Sequence, residues 1–138
     1  MNYSWLAPLL GKPWQAYANG PNAFDCRGIV YAAYPHVIGC TPDLPMDTPP
    51  LDADAFESSV ADCYRHGGWQ RISAPQHGCL VLMAKGAKLR HMGMWLNVNG
   101  GRLLHCSKPK GVALEPATYL KNYHRVEYYL YVGNTHDF

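Results

Sequence analysis

One cysteine and two histidines of this 138-residue chain stand where they could support nucleophilic catalysis. Cys26 lies between a turn-rich loop, residues 19–22, and an apolar run, residues 29–34, which predicts the start of a buried helix. Asp25 is expected to cap that helix. Backbone N–H groups and the helix dipole stabilise a thiolate at a helix N-terminus, and the thiolate is the reactive nucleophile. We therefore expect the pKa of Cys26 to lie below the ordinary ~8.5.

The two histidines lie in neighbouring segments whose sequences are typical of strands. His91 opens the segment 91–96, His105 lies in the segment 102–106, and residues 97–101 between them predict a hairpin turn. A cysteine with a distant histidine, oriented by a third polar group, is the pattern of thiol acyl-transfer catalysis. We predict that a ring nitrogen of His91 lies roughly 3–4 Å from the sulfur of Cys26 and that His105 contacts the other nitrogen.

The oxyanion hole has no motif of its own, so its donors are inferred from position. The backbone N–H of Cys26 is the natural donor if this residue begins a helix. Tyr17 is a candidate for a second donor or a substrate contact, and packing is an equally good explanation of that tyrosine. A metal site built from His91, His105 and Cys106 is disfavoured, because adjacent strand residues point to opposite faces.

The five cysteines, at positions 26, 40, 63, 79 and 106, are an odd number, so at least one thiol is unpaired. The chain contains no C-x-x-C sequence, which argues against a redox motif and against a zinc ribbon. We expect Cys40, Cys63 and Cys79 to be small buried side chains with free thiols rather than partners in disulfides.

In order and content, three segments resemble those of the NlpC-type papain-like cysteine peptidases of bacterial cell walls. They are residues 24–30 around the cysteine, residues 91–96 and residues 104–106. The opening segments, residues 10–14 and 20–24, resemble in particular the branch found in phage tail tips.

This resemblance runs from about Trp5 to about Tyr131. The chain departs from the family pattern at two positions outside the triad. Arg27 follows the nucleophile where the family usually has a small or aromatic residue, and Cys79 follows Gly78 where the family usually has aspartate.

The resemblance implies a cysteine peptidase or amidase that cleaves an amide bond next to D-glutamate or a diamino acid in the peptide stem of peptidoglycan. It implies an acyl-enzyme on Cys26, proton transfer by His91, orientation by His105, and no cofactor. The tail-tip likeness implies other phage tail proteins as partners. Two alternatives stay open: a structural tail-assembly protein with vestigial catalytic residues, and a thiol acyltransferase, or a hydrolase of other amides, on the same fold.

The elements around these residues predict an α+β fold. Helices are expected from Cys26 to about Ala33 and from Asp52 to about His66, separated by a loop with four prolines, residues 39–50. Residues 5–10 are a candidate for a short N-terminal helix. The second half predicts strands over residues 79–83, 91–96, 102–106, 111–114 and 126–132, with one or two helical turns over residues 116–122. The resemblance implies a papain-like layout in which N-terminal helices pack on an antiparallel sheet.

Composition narrows the class of protein. The length fits a single domain over residues 1–138, and 48% hydrophobic residues can form a sizeable core. A net charge of +2 without a basic stripe argues against a nucleic-acid partner. No apolar run approaches the ~20 residues of a membrane span, and no signal peptide is visible. These features predict synthesis in the cytoplasm, and the resemblance to the tail-tip branch implies a place in a virion tail or delivery to the cell envelope.

Overall fold

The computed structural model describes residues 3–42, 44 and 53–133. It contains two α-helices, six β-strands and one 3₁₀ helix. In chain order these are α1 (Cys26–Ile38), α2 (Ala53–His66), β1 (Trp69–Ile72), β2 (Leu80–Lys85), β3 (Lys88–Leu96), β4 (Arg102–Ser107), β5 (Gly111–Pro116), the 3₁₀ helix (Ala117–Asn122) and β6 (Arg125–Tyr131). No helix in these described ranges is long and apolar enough to cross a membrane.

The six strands form one antiparallel sheet in the order β1-β6-β2-β3-β4-β5, and α1 and α2 pack against it. The predicted α+β class is confirmed. Strand β1 was not predicted, and residues 5–10 form turns rather than the expected helix. Helix α1 runs past Pro35 to Ile38, five residues beyond its predicted end, and stops at Gly39, whose φ of 80° is left-handed. Most of the loop over residues 39–50 lies outside the described residues.

Alternate strand residues face two separate apolar clusters, as the period of a β-strand requires. Leu80 and Leu82 of β2 join the cluster that α1 completes, whereas Val81 and Met83 join a second cluster on the opposite face. Side chains from the 3₁₀ helix and the residue after it pack on this second cluster. Both faces of β2 and β3 are therefore covered.

The N-terminal segment pairs with the outer edge of β5. The N–H of Gly11 donates to the carbonyl of Val112 at 2.8 Å, and the N–H of Val112 donates to the carbonyl of Lys12 at 2.9 Å. At Gly111, where φ is 71°, a β-carbon would stand 2.2 Å from the Lys12 carbonyl oxygen. A glycine is needed there for the segment to approach so closely.

Strands β3 and β4 pair over a short ladder that joins Met94–Leu96 to Arg102–Leu104. Next to its end, a β-carbon on Gly93 would stand 2.7 Å from the Leu104 carbonyl oxygen, so a glycine permits the two strands to meet. Beyond the ladder, side chains rather than backbone groups connect the strands. The predicted site residues of β3 and β4 lie in that region.

Candidate active site

Cys26 is the first residue of α1, as predicted, and Asp25 caps the helix. The Asp25 carboxylate accepts the N–H of Gly28 at 2.6 Å and the N–H of Tyr17 at 2.9 Å. A β-carbon on Gly28 would stand 2.0 Å from the carbonyl oxygen of Ala18, so only a glycine lets this loop lie against the helix. The sequence around the cysteine thus fixes both the start of α1 and the loop beside it.

A cavity of about 350 Å³ opens beside the thiol. Its lining comes from the N-terminal segment, the start of α1, strands β3 and β4, and the turns that follow β4 and the 3₁₀ helix. The lining residues are Trp14, Cys26, Arg90, His91, Cys106, Ser107, Lys108, Pro109 and Tyr123. Cys26 and His91 therefore face the same cavity. Among the described residues no hydrogen bond joins the thiol to the imidazole, and the expected distance between the sulfur and the ring nitrogen stays a prediction.

His105 contacts the ring of His91, as the sequence predicted. His91 Nε2 and His105 Nδ1 are 2.8 Å apart, and the two rings are nearly perpendicular at 76°. His105 is completely buried, whereas His91 is partly exposed. This contact occupies Nε2 of His91 and leaves Nδ1 as the ring nitrogen available for proton transfer with Cys26. The catalytic roles of the three residues stay predictions.

Two tyrosines enclose the histidine pair. The ring of Tyr119 lies 4.8 Å from that of His105, and Tyr123 stacks on His91 at 6.3 Å between centroids with 12° between the planes. Their hydroxyl oxygens are 3.3 Å apart. Each imidazole therefore lies against an aromatic ring, which the sequence reasoning did not anticipate.

Glu115 is a further site residue that sequence reasoning missed. Its Oε2 lies 3.3 Å from His105 Nε2 and 3.3 Å from Lys110 Nζ. Glu115 is 8% exposed and lies in β5, one residue beyond the predicted end of that strand at Leu114. The register of the strands explains why: β4 and β5 pair His105 with Ala113, so Glu115 is the next residue on the same face and a diagonal neighbour of His105.

Burial sets the charge of the thiol. It raises the pKa of Cys26 to about 12, and the neighbouring Asp25 carboxylate acts in the same direction. Hydrogen bonds from the backbone N–H groups of Met92 and Arg27 act in the opposite direction and are the weaker influence. The expectation of a low pKa was therefore wrong, because Cys26 is only 3% exposed and desolvation outweighs the helix N-terminus.

Burial also keeps the imidazole neutral. It lowers the pKa of His91 to about 3, and His105 and Lys85 add to the shift. The pKa of His105 is lowered by burial too, with Glu115 acting against the change. At neutral pH the site therefore holds a thiol beside an imidazole rather than a thiolate beside an imidazolium.

The structure does not place Tyr17 at the cavity. Its side chain is 67% exposed and is absent from the cavity lining, so the predicted role as oxyanion donor or substrate contact is not supported. Its backbone takes a left-handed φ of 66° while its N–H binds Asp25. Trp14 is instead the aromatic residue of this segment that lines the cavity, with Lys108 Nζ 4.9 Å from its ring centre.

The other cysteines differ in their surroundings. Cys79 is buried, as expected, but Cys40 is exposed, and the side chain of Cys63 lies outside the described part of the chain. The thiol of Cys106 is free and donates to the carbonyl of Phe24 at 3.2 Å. Within residues 3–42, 44 and 53–133, no group of three or more His, Cys, Asp or Glu residues could hold a metal ion.

This arrangement is papain-like. A helix begins at a cysteine and packs on an antiparallel sheet, and the sheet carries two hydrogen-bonded histidines. Residues 11–131 match the NlpC/P60 family. The chain therefore belongs to the NlpC/P60 family, whose members are cysteine peptidases and amidases. No curated protein matches the sequence.

Solved structures share this fold, among them two of the NlpC/P60 family. The NlpC/p60 domain of the peptidoglycan hydrolase SagA superposes with a TM-score of 0.53 at 16% identity, and the alignment covers 88% of each chain. A protein of the NLP/P60 family from Staphylococcus aureus subsp. aureus Mu50, described as similar to lipoprotein, gives a TM-score of 0.52 at 20% identity. That alignment covers 86% of this chain and 37% of the longer staphylococcal chain.

Proposed function

We propose that this protein is a cysteine peptidase or amidase that cleaves an amide bond in the peptide stem of peptidoglycan. The observation that carries the proposal is the placement of Cys26 and His91 on one cavity, with His105 bound to the far nitrogen of His91. Membership of the NlpC/P60 family supports the reaction class. The peptidoglycan hydrolase among its structural relatives supports the choice of substrate.

The reaction proceeds in two halves. The sulfur of Cys26 attacks the carbonyl carbon of the amide while Nδ1 of His91 accepts the thiol proton. The C–N bond breaks, and His91 gives the proton to the departing amine, which leaves a thioester on the enzyme. A water molecule attacks the thioester as His91 takes its proton, and the thiol is restored when the carboxylic acid product leaves. The backbone N–H of Cys26 at the start of α1 stabilises the oxyanion.

The charges around the cavity fit a peptide stem that carries carboxylates. Arg90 and Lys108 both line the cavity and both are exposed, whereas none of the lining residues is acidic. Trp14 contributes an apolar surface beside Lys108. Such a cleft attracts anionic substrates and repels cationic ones.

Digestion of purified peptidoglycan, with mass analysis of the released fragments, tests this proposal. The wild-type protein should release peptide fragments with a new terminus at one amide bond. Cys26→Ser should lower the rate by about a thousandfold or more, and His91→Ala should do similar damage, because each removes a group that takes part in bond making. His105→Ala should cost less, since it orients rather than reacts.

Cys79→Ala is the matched control, because it removes a buried thiol that does not line the cavity. Equal digestion by wild type and Cys26→Ser would show that Cys26 is not the nucleophile. Fragments that carry an added acyl group would indicate a thiol acyltransferase. Intact peptidoglycan in every reaction would refute the hydrolase and favour a structural protein with vestigial catalytic residues.

We also propose that the 138 residues act as one catalytic domain delivered to the cell envelope with a phage tail. The support is the sequence likeness of residues 10–14 and 20–24 to the tail-tip branch. The test is mass spectrometry of particles purified from the organism that encodes the protein. Detection in tails, together with other tail proteins, is the expected result, and confinement to the soluble cell extract would contradict it.

A further inference from the structure

We propose that Glu115 is a positioning residue of this site, whose carboxylate holds His105 and His91 in the tautomers that leave Nδ1 of His91 free to accept the proton of Cys26. This inference rests on the proposed function, because it concerns the same cysteine and histidine. It adds a fourth residue to the three that the sequence predicted.

The contacts form an unbroken line across the sheet. Glu115 Oε2 lies 3.3 Å from His105 Nε2, and His105 Nδ1 lies 2.8 Å from His91 Nε2. Glu115 and His105 are both buried, on neighbouring strands of one hairpin. Water therefore competes little for these hydrogen bonds, and each group depends on its neighbour in the line.

The carboxylate determines which ring nitrogen of each histidine carries a proton. A carboxylate can only accept, so Nε2 of His105 must carry its proton and Nδ1 of His105 must be bare. The bare Nδ1 in turn requires the proton of His91 to sit on Nε2. Nδ1 of His91 is then the unprotonated nitrogen, and a thiol proton can move only there. When it moves, the two Nε2 protons stay in place, and the carboxylate stabilises the imidazolium.

The other charged or titratable groups around the two histidines do not determine their tautomers. Lys110 is a cation that binds the same oxygen of Glu115, and its side chain is 61% exposed. Lys85 acts on His91 from the end of β2 as a positive charge. Tyr119 and Tyr123 contact the imidazoles through their rings, and their hydroxyls bind each other. Glu115 is therefore the acceptor that determines the tautomer of His105.

The test substitutes Glu115→Gln, which keeps the size of the side chain. An amide can accept or donate, so it also permits the opposite tautomer, in which His105 donates from Nδ1 and His91 carries its proton on Nδ1. The matched control is Glu127→Gln. Glu127 is also 8% exposed, but its carboxylate binds Tyr129 and Arg125 rather than a histidine.

The direct readout is the tautomer of each histidine, measured by ¹⁵N NMR of the imidazole nitrogens. Wild type and Glu127→Gln should show protonated Nε2 and bare Nδ1 for both residues. Glu115→Gln should show the Nδ1-protonated tautomer of His91 as a second or dominant species. Unchanged tautomers in folded Glu115→Gln would overturn the proposal. This measurement needs no substrate, so it gives a result even if peptidoglycan proves to be the wrong target.

The kinetic readouts follow from the tautomers. Alkylation of Cys26 by iodoacetamide should slow about tenfold in Glu115→Gln, because fewer molecules hold a base ready for the thiol proton. Peptidoglycan digestion should lose about tenfold to a hundredfold in kcat with an unchanged KM. A rise in KM with an unchanged kcat would contradict a positioning role. If the wild-type protein does not digest peptidoglycan but shows the expected tautomers, the proposed function is refuted and the positioning role of Glu115 still holds.

Lys110→Met is a second variant, and it keeps the buried carboxylate of Glu115 in place. Removing this exposed cation leaves the whole charge of Glu115 to act on His105. The pH at which the histidine pair gains a proton should therefore rise in the ¹⁵N titration. In the Glu115→Gln background the same exchange should raise that pH less, because only the direct repulsion between Lys110 and His105 is then removed. An equal rise in both backgrounds would show that Glu115 does not act on the pair.

Discussion

Cys26 and His91 are uncharged at neutral pH in the folded protein, because desolvation disfavours the ion in both cases. In the proposed reaction, we therefore expect the proton to move from sulfur to imidazole during attack on the substrate rather than before it. The N–H groups of Met92 and Arg27 already point at the sulfur and favour the anion as it forms. We expect this neutral pair to become reactive only when a substrate is bound.

The first prediction at this scale concerns the rate of alkylation of the thiols. Brief treatment of the native protein with iodoacetamide at pH 7 should label exposed Cys40 well before Cys26, since burial raises the pKa of Cys26 to about 12. His91→Ala should slow labelling at Cys26 further and leave Cys40 as an internal reference. Peptide mapping by mass spectrometry measures both. Preferential labelling of Cys26 in mildly acidic solution would show that the resting thiol is ionised after all.

The second prediction concerns the acidic limb of the pH–rate profile. A base with an ordinary histidine pKa of ~6.5 would be mostly protonated at pH 5. The pKa of His91 is lowered to about 3, so the imidazole stays unprotonated and kcat should change by less than about threefold between pH 7 and pH 5. Initial rates on a soluble peptide fragment in buffers of constant ionic strength check this. A drop of tenfold or more centred near pH 6.5 would contradict it.

At the scale of elements, the start of α1 depends on the lack of a side chain at Gly28. A β-carbon there would stand 2.0 Å from the carbonyl oxygen of Ala18, and neither backbone segment can move without disturbing the cap at Asp25. Gly28→Ala should therefore lower the free energy of unfolding by about 3 kcal/mol. Urea unfolding measures the change.

Ala32→Gly makes the reverse exchange in the same helix and should cost only about 1 kcal/mol. Equal effects of the two substitutions would mean that the contact with Ala18 relaxes without loss. The rate of peptidoglycan digestion by folded Gly28→Ala would then report whether the thiol has moved relative to His91.

Much of this arrangement could be predicted from local sequence. The cap at Asp25 and the strands that carry His91 and His105 are encoded by residues close to one another in the chain. Strand β1 could not be found in this way, because only two of its four residues are buried or half-buried and its partner, β6, lies far along the sequence. Its identity as a strand comes from the pairing itself.

The candidate site, like the fold, was predictable from local sequence only in part. The types and order of the three predicted residues were visible in the sequence, but the contact of Glu115 depends on the register of β4 and β5. The charge of Cys26 depends on how completely other elements cover it, and the helix N-terminus alone predicted the opposite shift. The contact of Glu115 and the charge of Cys26 both depend on tertiary packing, which no local sequence pattern indicates.

At the scale of the whole molecule, the lowered pKa values of His91 and His105 make stability depend on pH. In the unfolded chain His91 has a pKa near ~6.5, and in the folded protein this pKa is lowered to about 3. The unfolded state therefore binds protons first as the pH falls, and stability is lost progressively below about pH 6.5. His105 contributes in the same direction.

We expect the melting temperature to fall between pH 7 and pH 5, and each histidine can add at most about 1.4 kcal/mol of destabilisation per pH unit. His91→Gln should lose less stability over the same interval, because glutamine does not titrate. Thermal unfolding followed by circular dichroism at both pH values measures the difference. The same fall in wild type and variant would assign the acid sensitivity to other groups.

The pairing of residues 11–12 with β5 has a consequence for the behaviour of the protein at high concentration. A sheet edge with unpaired backbone groups is a template on which another copy can add a strand, which leads to aggregation. Here Gly11 and Lys12 already occupy the outward N–H and carbonyl of Val112. The opposite edge is β1, which is four residues long and exposes Gln70 and Arg71. We therefore expect little strand addition at either edge, because the chain itself pairs with β5 at Val112 and the opposite edge is short and polar.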